Sequence, residues 1–393
     1  MFKGQDIICI SSIDWDFLRQ RHQILMTMLA QEGNRVFFVE NLNPNPTIDL
    51  SILSKAIKRV GRIFLKLNEK EKEQIPNLTV ITPFIMPFKN RIAEFINKNI
   101  LLRFVLFYLK LKGVKRPVIW TYLATSLALR LINNLEPQTL IYDCVIDASL
   151  HPDSPKDIKI SERKLIESAD LIFTDNHYSL KKCKEINACA YIIPPGVDFE
   201  QFFLPDINKD ADLLLDNIRH PRIGYFGGIE EFRVDIELIA YIAEERPNWN
   251  ILIFGPMRRT DISILKLKNI IIGDPVAHSV LPCYLQKLDV LILPYKIKEF
   301  TKSMFPAKIF ECLATGKPIV STALEEFNFF EEGVIRIAKT KEEFVQAIAD
   351  SLDSDTEAHK QKRLKIAREN SWEERFKEIR AIIEECLPRE SSL

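Results

Sequence analysis

Short runs of β-branched and aliphatic residues recur along the chain, and each is followed by a longer stretch in which apolar residues return every three or four positions. The first pattern is that of a strand buried on both faces, the second that of an amphipathic helix. In the first half the strand runs fall at 6–10, 35–39, 118–121, 140–142, 171–174 and 191–193. Helical patterns fill the intervals: 17–31 carries Leu18, Ile24, Leu25, Met28 and Leu29 at helical spacing and stops at Gly33. After Pro194-Pro195-Gly196-Val197-Asp198 the alternation lapses through a polar stretch, 199–221, in which a short helix is expected at 210–217. It then restarts, with strands expected at 223–226, 251–254, 270–272, 290–293 and 319–321 and helices at 235–245, 280–287 and 307–314. The tail opens with a capping-box-like Ser371-Trp372-Glu373-Glu374 and continues amphipathically as a final helix.

Alternation of this kind is the signature of βαβ units and parallel sheets. At about 150 residues per domain, 393 residues allow two or three, and the polar stretch argues for two. The expected organisation is α/β: two doubly wound, Rossmann-like domains facing across a cleft. They occupy 1–200 and 222–370, with a linker at 201–221 and a helix at 371–393 that crosses back toward the first domain. In such sheets ligands bind beyond the carboxyl ends of the strands, so the loops there hold the candidate chemistry.

Hydrophobic residues at 47% and charged residues at 27% supply packed cores and exclude a disordered or fibrous chain. Lys plus Arg equals Asp plus Glu at 54 each, so no net field draws the molecule to nucleic acid. Seven scattered cysteines (Cys9, Cys144, Cys183, Cys189, Cys283, Cys312, Cys386) form no C-x-x-C and lie mostly in apolar runs, which fits thiols in a reducing cytoplasm. Residues 1–10 lack a small-residue cleavage site and read as a first strand, not a signal peptide. Locally the charge is uneven, with 15 Lys or Arg against four Glu between 51 and 116. The longest apolar stretch there, 100–111, is interrupted by Arg103 and Lys110 and is well short of the roughly 20 residues a spanning helix needs. Basic helices with apolar faces at 50–67 and 90–112 suit either a solvated surface over an ordinary core or an anionic membrane surface.

Several chemistries lack their motifs. Ser11-Ser12-Ile13-Asp14 stands after the first strand where a dinucleotide site would carry G-x-G-x-x-G, and no Walker loop, H-E-x-x-H or G-x-S-x-G occurs. The six histidines are dispersed without ligand spacing, so no metal site is expected. The informative segment is 300–318, FTKSMFPAKIFECLATGKP. A strand ending in Leu293-Pro294-Tyr295 leads through a loop into a short helix, whose first N–H groups, at Phe305, Ala307 and Lys308, suit a diphosphate. Lys308 adds positive charge, and Glu311, one turn further in, can accept both hydroxyls of a ribose. An acid among Ile309, Phe310, Cys312 and Leu313 is costly without a partner.

This segment resembles the donor-nucleotide motif of the retaining "group 1", family-4-like GT-B glycosyltransferases, in the bacterial polysaccharide-biosynthesis branch that carries P-x-K-x-x-E-x-x-A-x-G-x-P. The matching residues are Pro306, Lys308, Glu311, Ala314, Gly316 and Pro318. The likeness extends to Pro195-Gly196-Val197-Asp198, to the glycine loop Ile223-Gly224-Tyr225-Phe226-Gly227-Gly228, to Phe254-Gly255-Pro256, to Leu281-Pro282-x-Tyr284 and to the Ser-Trp-x-x-Arg of the last helix. It implies a GT-B fold and a nucleotide-diphosphate sugar as co-substrate. Glu311 would hold the ribose; Gly227, Gly228, Phe305, Ala307 and Lys308 would take the diphosphate; Gly255 and Val276 would lie near the base. Two departures stand out. Ser303 occupies the position, eight before Glu311, where many members carry a second acid. After the glycine loop, where members often have Arg and Lys, the chain reads Glu230-Glu231-Phe232-Arg233, which leaves Arg233, with Lys302 or Lys308, to neutralise the departing diphosphate.

In the first domain, Ile141-Tyr142-Asp143-Cys144-Val145-Ile146-Asp147 resembles the strand and loop where many relatives place a histidine. Asp147 takes that approximate place, to orient an acceptor hydroxyl, to accept its proton, or to cap the next helix. Arg19, Arg21, His22 and Asp143 are acceptor-side candidates, with surface solvation the alternative for the first three. The expected activity is hexosyl transfer from a nucleotide-diphosphate sugar, UDP-sugar foremost, to a hydroxyl of a glycan or lipid-linked saccharide in cell-envelope synthesis, with no metal required. Asp147, Lys308 and Arg233 would be the catalytic set. A non-catalytic GT-B partner of a polysaccharide assembly, or a nucleotide-sugar epimerase, remains as an alternative.

Overall fold

The computed structural model describes residues 2–42, 75–83, 85–86, 91–151, 154–204, 215–258 and 261–386. The chain forms two compact units, Met1–Ile193 with Phe376–Leu393, and Pro194–Arg375. The basic helix expected at 50–67 lies outside the described residues, as does most of the short helix expected at 210–217, of which 215–217 form a turn.

Among the described residues, the first unit holds strands β1 (Asp6–Ile10), β2 (Arg35–Val39), β3 (Leu78–Ile81), β4 (Val118–Thr121), β5 (Thr139–Cys144), β6 (Leu171–Thr174) and β7 (Ala190–Ile192). They make one sheet in the order β3-β2-β1-β4-β5-β6-β7, every neighbouring pair parallel. The second unit repeats the winding. Strands β8 (Arg222–Phe226), β9 (Ile229–Glu230), β10 (Asn250–Phe254), β11 (Met257–Arg258), β12 (Ile270–Gly273), β13 (Val290–Leu293), β14 (Ile319–Thr322) and β15 (Arg336–Ala338) follow one another in the chain. Six of them form a parallel sheet in the order β12-β10-β8-β13-β14-β15, and β9 and β11 pair separately.

Burial explains which residues became strands. The inner strands β4, β6, β8 and β13 are buried throughout because helices cover both faces of a parallel sheet. In the second unit, helices Ile236–Glu245 and Lys341–Ser354 pack Ile239, Ile242, Phe344 and Ile348 against Ile223, Ile251 and Ile292. Helix Lys308–Ala314 packs Ile309, Phe310 and Leu313 with Leu252 and Leu291. Each fully buried Ile or Leu here stabilises by about 1.5–3 kcal/mol, and the two layers fix where the loops after β8, β10 and β13 emerge.

Local expectations need correction at one helix and four strands. The helix expected at 17–31 begins at Arg21: Gln20 is extended, and its N–H donates to Gln23 Oε1 at 3.0 Å, which starts the helix there. Strands β3, β9, β11 and β15 were not expected: β9 and β11 are only two residues long, and β3 and β15 are edge strands with mixed burial, so none shows the continuous apolar run of an inner strand.

Candidate functional site

The second sheet changes winding direction at β8, with β10 on one side and β13 on the other. Loops at such a switch point diverge and leave room for a ligand. The chain leaves β8 through Gly227 and Gly228. Gly227 has φ +105°, its N–H donates to Phe254 O at 2.8 Å, and a Cβ there would sit 2.5 Å from Lys308 Nζ. Gly255, leaving β10 at φ +147°, lies so close beneath it that a Cβ would collide with the Gly227 carbonyl. These two glycines are therefore required by the approach of two loops and a lysine, whatever else they contact.

Lys308 comes from the helix opposite. Its Nζ donates to Phe226 O and lies 4.2 Å from the centroid of the Tyr225 ring, with the Phe226 and Tyr295 rings at 5.2 and 5.9 Å. Burial, and then the nearby charge of Arg233, push its pKa down to about 7. Arg233 Nη2 donates to Gly228 O at 3.3 Å and pairs with Glu230 Oε2 at 3.1 Å. The site therefore sets a guanidinium beside an amine whose charged form burial disfavours.

Glu311 lies on the same helix, and its Oε1 is 2.8 Å from His278 Nε2. The His278 ring meets Phe202 edge-on at 5.4 Å, and its carbonyl accepts from Gln201 Nε2 at 3.0 Å. Sequence reasoning missed His278: it stands 33 positions from Glu311, and spacing carries no signal over that distance. Its place in the loop after β12, among residues expected near the base, was the available hint.

The other expected donor-side residues have local roles. Lys302 Nζ pairs with Glu299 Oε1 at 3.1 Å, and Ser303, fully buried, donates from Oγ to Phe300 O at 2.9 Å at the end of helix Glu299–Lys302. Phe305 is buried and stacks on Phe310 at 5.6 Å. Ala307 is exposed and caps helix Lys308–Ala314, and Val276 packs partly buried against the core. Because that helix has only seven residues, the positive charge of the site rests on Lys308 and Arg233 more than on its dipole.

In the first unit the switch falls between β1 and β4, and three of the expected residues gather there. Arg21 Nε donates to Asp143 Oδ2 at 2.9 Å and its Nη1 to Ile193 O at 2.8 Å; Trp120 Nε1 donates to the same Asp143 oxygen at 3.1 Å. The His22 ring lies tilted by 33° against Tyr122 at 3.6 Å between centroids, with Nε2 3.0 Å from Ser12 Oγ. Burial, then the Arg21 charge, lower its pKa to about 3, so the ring is neutral. Arg19 is exposed. Asp147 accepts from Ser149 N at 2.9 Å, as a cap, and pairs with Lys182 Nζ at 2.9 Å. Lys182 also reaches Glu162, which accepts from Tyr142 OH at 3.0 Å. Burial alone would raise the Asp147 pKa, but the bonds from Lys182 and Ser149 hold it below the usual range. No helix of the described residues is long and apolar enough to cross a membrane.

Two parallel-sheet α/β units wound in this way define the GT-B fold. Solved structures match it over nearly the whole chain: sucrose-phosphate synthase from Thermosynechococcus elongatus, with a TM-score of 0.71 and 15% identity, covers 97% of this chain and 98% of its own. HepE of Anabaena, solved in complex with UDP, gives a TM-score of 0.66 and 14% identity over 97% and 99%. More specifically, residues 220–354, which contain the Gly227, Lys308 and Glu311 site, match the family described as Glycosyl transferases group 1. A Bacillus subtilis (strain 168) protein, TuaH, whose name gives it as a glycosyltransferase of teichuronic acid biosynthesis, is 30% identical over 238 residues. That match covers 57% of this chain and 59% of TuaH.

Proposed function

We propose that the chain is a cytoplasmic, retaining hexosyltransferase of the group 1 family that moves a sugar from a UDP-sugar to a hydroxyl of a glycan or lipid-linked saccharide. It would work in envelope polysaccharide synthesis at the inner face of the cell membrane. The observation that carries this reading is the placement of Lys308 against the Gly227-Gly228 turn with Glu311 one turn further along the same helix. Family and motif support it, as do the UDP complex of HepE and the role in the name of TuaH.

In the reaction Glu311 accepts the ribose hydroxyls, exchanging its bond to His278 for them. Lys308 and Arg233 take the charge that develops on the diphosphate as the glycosidic bond breaks, and fixed donors of this kind do most when they are already oriented. A diphosphate oxygen accepts the acceptor proton on the face the leaving group vacates, which retains configuration. Asp147 is held ionised by Lys182, which suits it to orient an acceptor hydroxyl. The motif asks for no metal.

A second reading, a non-catalytic partner that binds donor without turnover, is favoured by one feature: Ser303, where many relatives carry an acid, is buried and spends its hydroxyl on Phe300 O. The first test is a thermal-shift screen against UDP, GDP, ADP and their sugars. A ligand at 100 times its Kd stabilises by about 2.7 kcal/mol, so a selective rise with UDP-sugars is expected. No rise with any nucleotide would remove the donor-site assignment.

A further inference from the structure

After β3 the chain runs through helix Arg91–Ile96, a π-helical turn at Asn97–Leu101 and helix Leu102–Leu111. Leu102, Val105 and Leu109 face the core of the first unit and are buried. Ile100, Phe104, Phe107 and Leu111 follow one another at steps of four, three and four, which at 3.6 residues per turn confines them to about 60° of arc opposite that buried seam. They are 47%, 67%, 61% and 68% exposed. Ile92 and Phe95, 72% and 64% exposed, add to the apolar surface one to two turns upstream.

A surface helix ordinarily turns its polar side to water. This one is apolar on two opposite sides, and single exposed hydrophobes, common on any protein, do not line up at helical spacing. The transfer chemistry uses none of these residues. The charge around them is one-sided. Residues 91–116 hold seven Lys or Arg and a single acid, Glu94, which pairs with Lys98. Arg103 and Lys110 border the stripe, and Arg130, from helix Ser126–Leu135, adds another cation where its Nη2 meets Asn99 Oδ1 at 2.8 Å.

We propose that this stripe inserts into the interface of an anionic lipid bilayer, with Phe104, Phe107 and Leu111 at the acyl boundary and the surrounding Lys and Arg among the headgroups. Charge selects this occupant: a second copy would set one basic helix against another, whereas acidic lipid neutralises it. Apolar side chains on one face and cations beside them are what interfacial binding requires. The inference rests on the membrane-side reading above and gives it a contact surface. That surface belongs to the described helices at 91–111.

The test is co-sedimentation of the full chain with phosphatidylcholine vesicles, with and without phosphatidylglycerol. Binding is expected only with the anionic lipid, and the triple variant Phe104→Ser, Phe107→Ser, Leu111→Ser should weaken it about 100-fold. These side chains are exposed, so the variant keeps its core. A second variant, Phe107→Trp, should show a blue-shifted emission, quenched by brominated acyl chains beyond the wild-type background. Three results would overturn the proposal: no binding to anionic vesicles, binding without quenching of the introduced indole, or a lipid-free dimer that the triple variant abolishes. Titration of each variant with UDP-glucose in the absence of lipid is read separately. Loss of donor binding in the wild type would count against the transferase reading alone, and intact donor binding with failed vesicle binding against the stripe alone.

Discussion

Lys308 gives the sharpest quantitative test of the donor site. Its ammonium is pushed down to a pKa of about 7 by burial and by Arg233, so at pH 8 only about one-tenth of free protein carries that charge. If a diphosphate binds against it and restores its ordinary value near 10.4, binding at pH 8 takes up about 0.9 proton per nucleotide. At pH 6 the lysine is already charged, and uptake falls to about 0.1. The sign follows from linkage: the bound state holds more protons than the free state above pH 7, so affinity falls as pH rises, by up to about tenfold per pH unit. The assay is calorimetric titration with UDP-glucose, whose diphosphate has no titrating proton in this range, in buffers of different ionisation enthalpy at pH 6, 7 and 8. The slope of observed enthalpy against buffer enthalpy gives the uptake directly. His278 also sits at the site, so the series is repeated with His278→Gln, which should leave the pH 8 uptake intact, and with Lys308→Met, which should abolish it. Binding at pH 8 with zero uptake in the wild type would refute the placement of the diphosphate at Lys308.

Three further outcomes are expected. Glu311→Ala removes a charged acceptor worth about 1.5–3 kcal/mol, so UDP affinity should drop roughly 10- to 100-fold by calorimetry with the melting temperature little changed; unaltered affinity would contradict the ribose assignment. Gly255→Ala places a Cβ against the Gly227 carbonyl at φ +147°, and chemical denaturation should report a loss of roughly 2–4 kcal/mol; a neutral variant would mean the two loops do not approach this closely. His22 has a folded pKa of about 3 against an ordinary 6.5, so the unfolded chain binds the extra proton between those values and stability falls with acidification through that window by up to about 1.4 kcal/mol per pH unit. His22→Gln should flatten that limb in urea titrations at pH 4 to 6.5, and an unchanged limb would show that the ring is not held neutral.

How far the sequence could be read depended on burial. Strands β1, β2, β4, β6 and β13 were legible to the residue because a strand covered on both faces must be apolar over the stretch it buries, which in β1 and β2 starts just after a charged first residue. The edge strands β3 and β15 escaped because exposure on one side relaxes that demand. The helix at 102–111 was legible as a helix but not in its orientation, since with apolar residues on two opposite stripes periodicity alone does not say which faces the core. At the candidate site, Lys308 and Glu311 were visible as charged residues spaced one turn apart in an apolar segment. His278 and the pairing of Arg21 with Asp143, 122 positions apart, depend on tertiary approach. Asp147 shows the capping reading of a strand-end acid, accepting from Ser149 N, and adds an ion pair with Lys182 that the sequence did not signal.

The central claim is that the chain turns over a nucleotide sugar, and release of UDP tests it most directly. Purified protein is incubated with a panel of UDP-hexoses, with and without an extract of lipid-linked saccharides, and free UDP is quantified by chromatography. The account predicts acceptor-stimulated release from one donor, lost in Lys308→Met and Glu311→Ala. Tight donor binding with no release under any condition would contradict it and leave a binding partner in place of an enzyme.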